Sequence, residues 1–418
     1  MKQYPLLNHK AAKFGFGLFL LAMLFLSRDT LFSSCLLGFA KSQILMFGLI
    51  VLLGGVFLWV NRRSFGEILK DRRIFLLGAS VLVLVLPMAV KRDWQLMYFS
   101  ILLCVLTAVF LTYFTNVREV SKYYVLILVA LGIYSIVVTY CLKKPAREGL
   151  INPAVFYNAN DWEFFNFGLA YVNTAKYWHR NFGIFREPGV YQFFVLLAVY
   201  LNNYCVDWNR QWKLWACNVA LAFTMLSTFA LGGFAELGLL IVFLYFDKKW
   251  YRESWGKAAG IGSVALLVGA VGYFFYRMHQ PFFNKSILFE FYDMFIRLTT
   301  DSDSMLDRQD AVTTNLQFFV RNPLVGERIA EVLHGTNHNT SSTMLLFAIL
   351  GIAGGTLNVA AWIALLWKRE RNIAGNLILL VILFLSFNTQ NLVANVFFWL
   401  FPMMALVERG LPLLKRSK

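Results

Sequence analysis

One histidine and two arginines stand where their chemistry suits an anionic substrate. His338 sits in Gly335-Thr-Asn337-His338-Asn339-Thr340-Ser341-Ser342, just before an apolar run. An imidazole can donate and accept, and its ordinary pKa of about 6.5 suits general acid–base work. The plainer reading of this stretch is a polar helix cap in which Asn337, Asn339 and Ser341 hold the turn. Arg186 and Glu187 immediately precede Pro188. Proline fits the first turn of a helix, so this pair stands at the positive end of a helix dipole. An anion there meets both a guanidinium and helix amides. The plainer reading is a structural pairing of Arg186 with Glu187 or another carboxylate. Arg308 falls in the first turn of a helix expected over 305–320, opened by a Ser304/Asp307 capping box and stopped by Asn322-Pro323.

Other chemistry finds less footing. His9, His179, His279 and His334 lack ligand spacing, and Asp301, Asp303 and Asp307 do not complete a calcium loop. The five cysteines, Cys35, Cys104, Cys141, Cys205 and Cys217, show no CxxC pattern and read as small buried hydrophobes. Without a P-loop or a GxGxxG opening a helix, nucleotide-driven transport is not indicated. The expected site uses no metal and no cofactor.

The elements that must carry these residues are membrane helices. Of 418 residues, 59% are hydrophobic and 15% charged. The apolar residues fall in long runs, at 11–27, 43–60, 74–90, 97–115, 123–142, 189–206, 214–230, 233–246, 258–276, 341–366, 373–388 and 391–408. A bilayer core needs about 20 apolar residues per helix, so these predict about 12 transmembrane spans in one integral membrane unit, residues 1–418. The first is read as an uncleaved helix, and Gly232-Gly233 as the turn between the seventh and eighth. The net charge of +16 is then a topology signal rather than a sign of nucleic-acid binding. With the N-terminus inside, cytoplasmic segments hold 23 of the 39 Lys and Arg, and short external loops hold only Arg28, Lys41, Lys91 and Arg92. That places both termini in the cytoplasm.

Two long external loops remain, 143–188 and 277–340, and long loops are where function tends to sit. The first is crowded with aromatics, among them Phe156, Tyr157, Trp162, Phe164, Tyr171, Phe182 and Phe185. They read as a headgroup-level belt or as a platform for sugar rings. The stretch 282–297 in the second reads as a surface-lying amphipathic helix.

The phrase Phe185-Arg186-Glu187-Pro188-Gly189-Val190-Tyr191-Gln192 resembles a motif of Wzy-type polysaccharide polymerases. The order Arg308, helix, Asn322-Pro323-Leu324-Val325-Gly326, His338-Asn339, glycine-containing helix is similar to the C-terminal half of the O-antigen polymerase/ligase superfamily. The motifs cover roughly residues 180–365. One departure is Leu226-Ser-Thr-Phe-Ala-Leu-Gly-Gly233, where many relatives place an arginine after a Ser or Thr.

The resemblance implies an all-α polytopic membrane glycosyltransferase of the GT-C type, in a bacterial inner membrane, with its site facing the periplasm or exterior. The implied donor is a glycan on undecaprenyl pyrophosphate, and the implied acceptor is the sugar hydroxyl of another lipid-linked repeat. Anomeric inversion is expected. Arg186 and Arg308 would hold the pyrophosphate, with Arg180 and Arg297 in reserve, while His338 would orient or deprotonate the acceptor. Glu187, Asn339 and Tyr191 complete the expected substrate contacts. Membrane lipid, a chain-length regulator and a flippase are the other implied partners. Two alternatives stay open: a ligase that delivers glycan to lipid A-core or to a protein, and a flippase for lipid-linked oligosaccharide.

Overall fold

The computed structural model describes residues 10–60, 72–158, 161–175, 179–280, 289, 292, 303–335 and 339–413. Each of the twelve apolar runs is a helix. They are α1 (Lys10–Leu26), α2 (Phe39–Val60), α3 (Arg72–Lys91), α4 (Leu96–Leu111) and α5 (Val117–Arg147, with a π-helical stretch at Val138–Leu142). Next come α6 (Pro188–Tyr204), α7 (Gln211–Ser227), α8 (Leu231–Asp247) and α9 (Ser254–Met278). The second long loop contributes α10 (Asp303–Arg321) and α11 (Ile329–His334), and the chain closes with α12 (Ser342–Leu366), α13 (Ile373–Phe387) and α14 (Val396–Leu413).

Among the described residues, three helices are by length and composition long and apolar enough to cross a membrane: Arg73–Lys91, Val117–Arg147 and Ser342–Leu366. Four shorter apolar helices accompany them, including Leu96–Leu111 and Ile373–Phe387. Helices α6 and α14 form the centre. α6 is buried along almost its whole length, and α14 from Val396 to Ala405, as expected for helices apolar on every face. The outer helices turn large apolar side chains outward, among them Phe14 on α1, Phe75 on α3 and Ile261 on α9. Such a contiguous apolar exterior calls for an apolar surrounding.

Contacts sort the helix ends into two poles. At one, the Arg186 amide donates to Asp29 O (3.0 Å), Asn395 Nδ2 to Asp29 Oδ2 (2.8 Å), and Ser341 Oγ to Asn388 Oδ1 (3.0 Å). At the other, Arg118 meets Asp207 (2.6 Å), Arg371 meets Asp247 (2.8 Å), and the Val117 amide donates to Glu408 (2.8 Å). The first group joins segments that the charge pattern assigns outside, and the second joins segments assigned inside.

Five expectations need correction. The all-α expectation fails in the first long loop. The loop folds an antiparallel sheet, β1 (Ala154–Tyr157), β2 (Glu163–Asn166) and β3 (Tyr171–Asn173), in the order β1-β2-β3, with Val155 opposite Phe165 and Phe165 opposite Val172. Many of its aromatics therefore form neither a belt nor a platform. Phe164, Tyr171, Phe182 and Phe185 are fully buried, Phe164 lying edge-on to Phe182 at 5.2 Å, while Tyr157 remains exposed. Helix α10 reaches back to Asp303, so Ser304 lies within it rather than ahead of its first residue. Finally, α7 and α8 are separate helices, but they part at Thr228–Ala230, with Phe229 at φ +47°. Gly232 and Gly233 belong to the first turn of α8. Of the cysteines, Cys104 and Cys217 are buried as expected, whereas Cys141 is exposed; all five are free thiols. The amphipathic stretch 282–297 lies outside the described residues, apart from 289 and 292.

Candidate functional site

Arg186 is fixed by its backbone before its side chain matters. Leu31 and Arg186 hydrogen-bond across the Thr30–Phe185 bridge, through Leu31 N to Ile184 O (2.9 Å) and Arg186 N to Asp29 O (3.0 Å). Pro188 then starts α6 at N1, with Glu187 as N-cap, as the missing proline amide dictates. The guanidinium lies 3.4 Å from the fully buried Asp29 carboxylate and 3.9 Å from Glu187. Its nearest carboxylate is therefore Asp29, not the adjacent Glu187. Among the described residues the Arg186 side chain makes no hydrogen bond, and its Nε is buried without one. Its charge is balanced while its fork of donors stays uncommitted. Arg28 lies within electrostatic reach, and its guanidinium pKa is lowered by burial and by Arg186, with Asp29 opposing. The mouth of α6 thus gathers two guanidinium groups around one buried carboxylate.

The first turn of α6 is close to two other elements. A Cβ on Gly189 would stand 2.5 Å from Gln390 Nε2. One turn on, Gln192 lies against α8, where a Cβ on Gly233 would meet Gln192 Oε1 at 2.7 Å and Met225 Sδ at 2.9 Å. The paired glycines let α6 and α8 approach at this level, which is the work their side-chain-free surface does here. One turn further along α8 is Glu236. Its side chain is buried, and Oε2 has no hydrogen-bond partner. Ser386, at the end of α13, is a near neighbour, yet its Oγ also lacks a formed hydrogen bond. Gln192 Oε1 is a third buried polar atom without a partner. Among the described residues, Glu236 Oε2, Ser386 Oγ and Gln192 Oε1 are thus buried polar atoms without a formed hydrogen bond, and Ser386 is the near partner of Glu236.

Arg308, on α10, acts electrostatically on Glu236. Ala311 and Asn315, on the same stripe of α10, are fully buried. The seven-residue spacing from Arg308 to Asn315 keeps both on one helix face. Asn315 exchanges two amide hydrogen bonds with Asn339, at 3.0 and 2.9 Å. This double bond fastens α10 to the segment that follows His338. It also occupies Asn339, which the sequence had suggested as a substrate contact and which serves here as a clamp.

Neighbouring segments are braced just as firmly. Asn388 Oδ1 accepts from Ser341 Oγ (3.0 Å) and from the Thr343 amide (3.1 Å), capping α12. Ser342 Oγ accepts from the Leu392 amide at 2.8 Å. The Asn322–Gly326 turn seats against a break in α12 at Gly351, whose φ of +65° and ψ of −165° are non-helical. Glu327 N donates to Ala348 O and Ile352 N to Pro323 O, each at 2.7 Å. Lys91 Nζ donates to Glu327 O (2.9 Å) and to Ile349 O. A broken helix inside an apolar bundle persists only when its freed backbone groups find partners in this way.

The remaining expected residues divide clearly. Arg180 Nε donates to Thr228 O (3.3 Å), at the gap before α8 and close to the glycine pair. Tyr191 is buried, its ring 5.0 Å from Phe185 and its hydroxyl 3.4 Å from Ser135 Oγ. Its role is packing rather than the substrate contact expected of it. His338 and Arg297 lie outside the described residues. The sequence reading missed Asp29 as the partner of Arg186, and it missed Glu236 entirely. A lone carboxylate inside an apolar run was the available signal.

No family model matches the chain, and no match was found among curated proteins or solved structures.

Proposed function

We propose that the chain is a membrane glycosyltransferase that moves a glycan from a lipid pyrophosphate onto a sugar hydroxyl, acting as a polysaccharide polymerase. The observation that carries this reading is that one pole holds both uncommitted guanidinium groups and buried polar atoms without a formed hydrogen bond among the described residues. Arg186 stands at the mouth of α6, Arg308 acts electrostatically on Glu236, and Gln192 one turn into α6 lies against the glycine pair one turn before Glu236. A diphosphate leaving group needs bidentate cationic donors. A hydroxyl nucleophile needs an acceptor for its proton.

The step balances as a displacement at the anomeric carbon. The acceptor oxygen forms the new C–O bond while the bond to the pyrophosphate breaks. The electron pair leaves with the pyrophosphate, where Arg186 and Arg308 offset the growing charge. The acceptor proton passes to His338 or to Glu236, and the other group orients the hydroxyl. Stored energy in the sugar–phosphate bond makes a nucleotide unnecessary, and the guanidinium groups supply the charge that a metal would otherwise bring. Attack from the face opposite the leaving group inverts the centre.

The alternation of basic residues supports both termini in the cytoplasm and the site toward the exterior of a bacterial inner membrane. The twelve helices are then twelve spans. The acceptor is read as another lipid-linked repeat because the Arg186-Glu187-Pro188-Gly189-Val190-Tyr191 phrase resembles polymerases. A ligase would differ only in the acceptor it takes. A chromosomal deletion separates the readings: single surface repeats indicate a polymerase, bare core with polymer left on its carrier a ligase, and repeats stranded inside a flippase. The surface phenotype expected is single repeats.

A further inference from the structure

The pole opposite the proposed active site holds a second charged assembly that the transfer reaction does not use. Tyr204, at the end of α6, is its floor. Three cations lie over that ring: Lys368 at 4.5 Å, Lys248 at 4.6 Å and Arg371 at 4.8 Å from the centroid. One carboxylate faces them. Asp247 accepts from Arg371 Nε (2.8 Å) and Nη2 (3.3 Å) and from the Tyr204 hydroxyl (2.6 Å). That carboxylate is fully engaged, so the cluster keeps a surplus of two positive charges.

The two lysines are the uncommitted part. Lys248 Nζ donates to the Asn203 carbonyl (3.1 Å), which uses one of its three donors. Among the described residues, Lys368 rests on the ring without a carboxylate at salt-bridge distance. Burial lowers both amine pKa values, Arg371 lowers both further and Lys248 lowers that of Lys368, with Asp247 opposing in each case. Like charges gathered around one aromatic ring repel, and an anion beside them would relieve that repulsion.

The surroundings say which anion. The cluster sits at the ends of α6, α8, α12 and the start of α13, where the apolar bundle exterior stops. Beside it, Val242 and Phe246 on α8 and Ile373 and Leu377 on α13 are exposed apolar side chains. Helices α8 and α13 pack against each other, so the cluster lies beside a packed helix pair that carries exposed apolar side chains on both members. A phosphate seated on the lysines would bring any attached acyl chains onto that pair.

We propose that Lys248, Lys368 and Arg371, set on Tyr204, form a binding site for the phosphodiester headgroup of an anionic phospholipid, with its acyl chains along the α8–α13 pair. The site is independent of the proposed transfer chemistry, since it shares no residue with it. Basic pockets between helices at a membrane face are a recognised means of binding acidic lipid.

The test uses the full-length protein purified in a neutral detergent. Its melting temperature is measured with short-chain phosphatidylglycerol, with phosphatidylcholine of equal chain length, and with inorganic phosphate. Phosphatidylglycerol is expected to raise the melting temperature, and the other two are not. K248Q changes an exposed lysine, so the fold is expected to survive. K248Q and K368Q, tested separately, are each expected to at least halve the phosphatidylglycerol shift. An equal shift with phosphatidylcholine would reduce the site to an apolar groove, and an equal shift with inorganic phosphate would make it a free-anion site. Either result overturns the proposal, as does an undiminished shift in both variants.

Discussion

Arg186 is held by charge and backbone but not by side-chain hydrogen bonds, and that combination governs what its loss should do. Arg186→Ala removes a cation from the mouth of α6 while the Thr30–Phe185 bridge stays in place. Inserted protein is therefore expected at normal levels, with polymerisation reduced by about 10²–10³-fold, the scale of losing a positioned charge stabiliser. The same drop is expected for Arg308→Ala, measured as chain length on gels of surface glycan. Asp29→Ala should behave differently. It strips the buried acceptor of Asn395 Nδ2 and the counter-charge of Arg186, so stability itself should fall by about 1–3 kcal/mol. A melting curve separates the two effects. Glu236→Gln keeps the volume and removes the charge. Reduced turnover in Glu236→Gln with an unchanged melting temperature would support proton handling there, and unchanged turnover would leave that role to His338.

At the scale of elements, the bundle was legible wherever apolar runs were long. All twelve expected runs are helices, with ends shifted by a few residues. The proline at the start of α6 and the Asn322-Pro323 stop after α10 were legible because proline has one fixed φ and no amide. The sheet was not. Its strands are four, four and three residues long, and their aromatic pattern is equally that of an interfacial belt. Only the burial of Phe164 and Tyr171 separates the two readings. The break in α12 was also hidden, because a glycine in an apolar run does not reveal that Pro323 and Glu327 will bond across it. Gly351→Ala tests that joint. Its backbone lies in a region almost reserved for glycine, and an added Cβ would crowd Leu324 and Val325. A loss of about 1–3 kcal/mol from backbone strain alone is expected in thermal denaturation. Asn315→Ala should loosen α10 from the Asn339 segment and so misplace Arg308. Its expected signature is lower turnover than its loss of stability accounts for.

The whole molecule has two poles of different character. One holds the open guanidinium donors of Arg186, and the other holds compensated ion pairs and the cationic cluster on Tyr204. Single cysteines introduced at Tyr157 and at Asp207 should be labelled by an impermeant thiol reagent from opposite sides, once the native cysteines are removed. Labelling of both from one side would break the alternation on which the orientation rests. Chelation tests the charge accounting: EDTA should leave transfer activity intact, and a loss restored by a divalent ion would transfer the pyrophosphate-binding role to a metal.

The most direct test is extension of a defined undecaprenyl-pyrophosphate-linked repeat by the purified protein, without nucleotide or added metal. A ladder of longer lipid-linked glycans from wild type, absent with Arg186→Ala and Arg308→Ala, is the predicted result. No extension by wild type of the repeat native to its own cell, or a full ladder from both variants, would contradict the account.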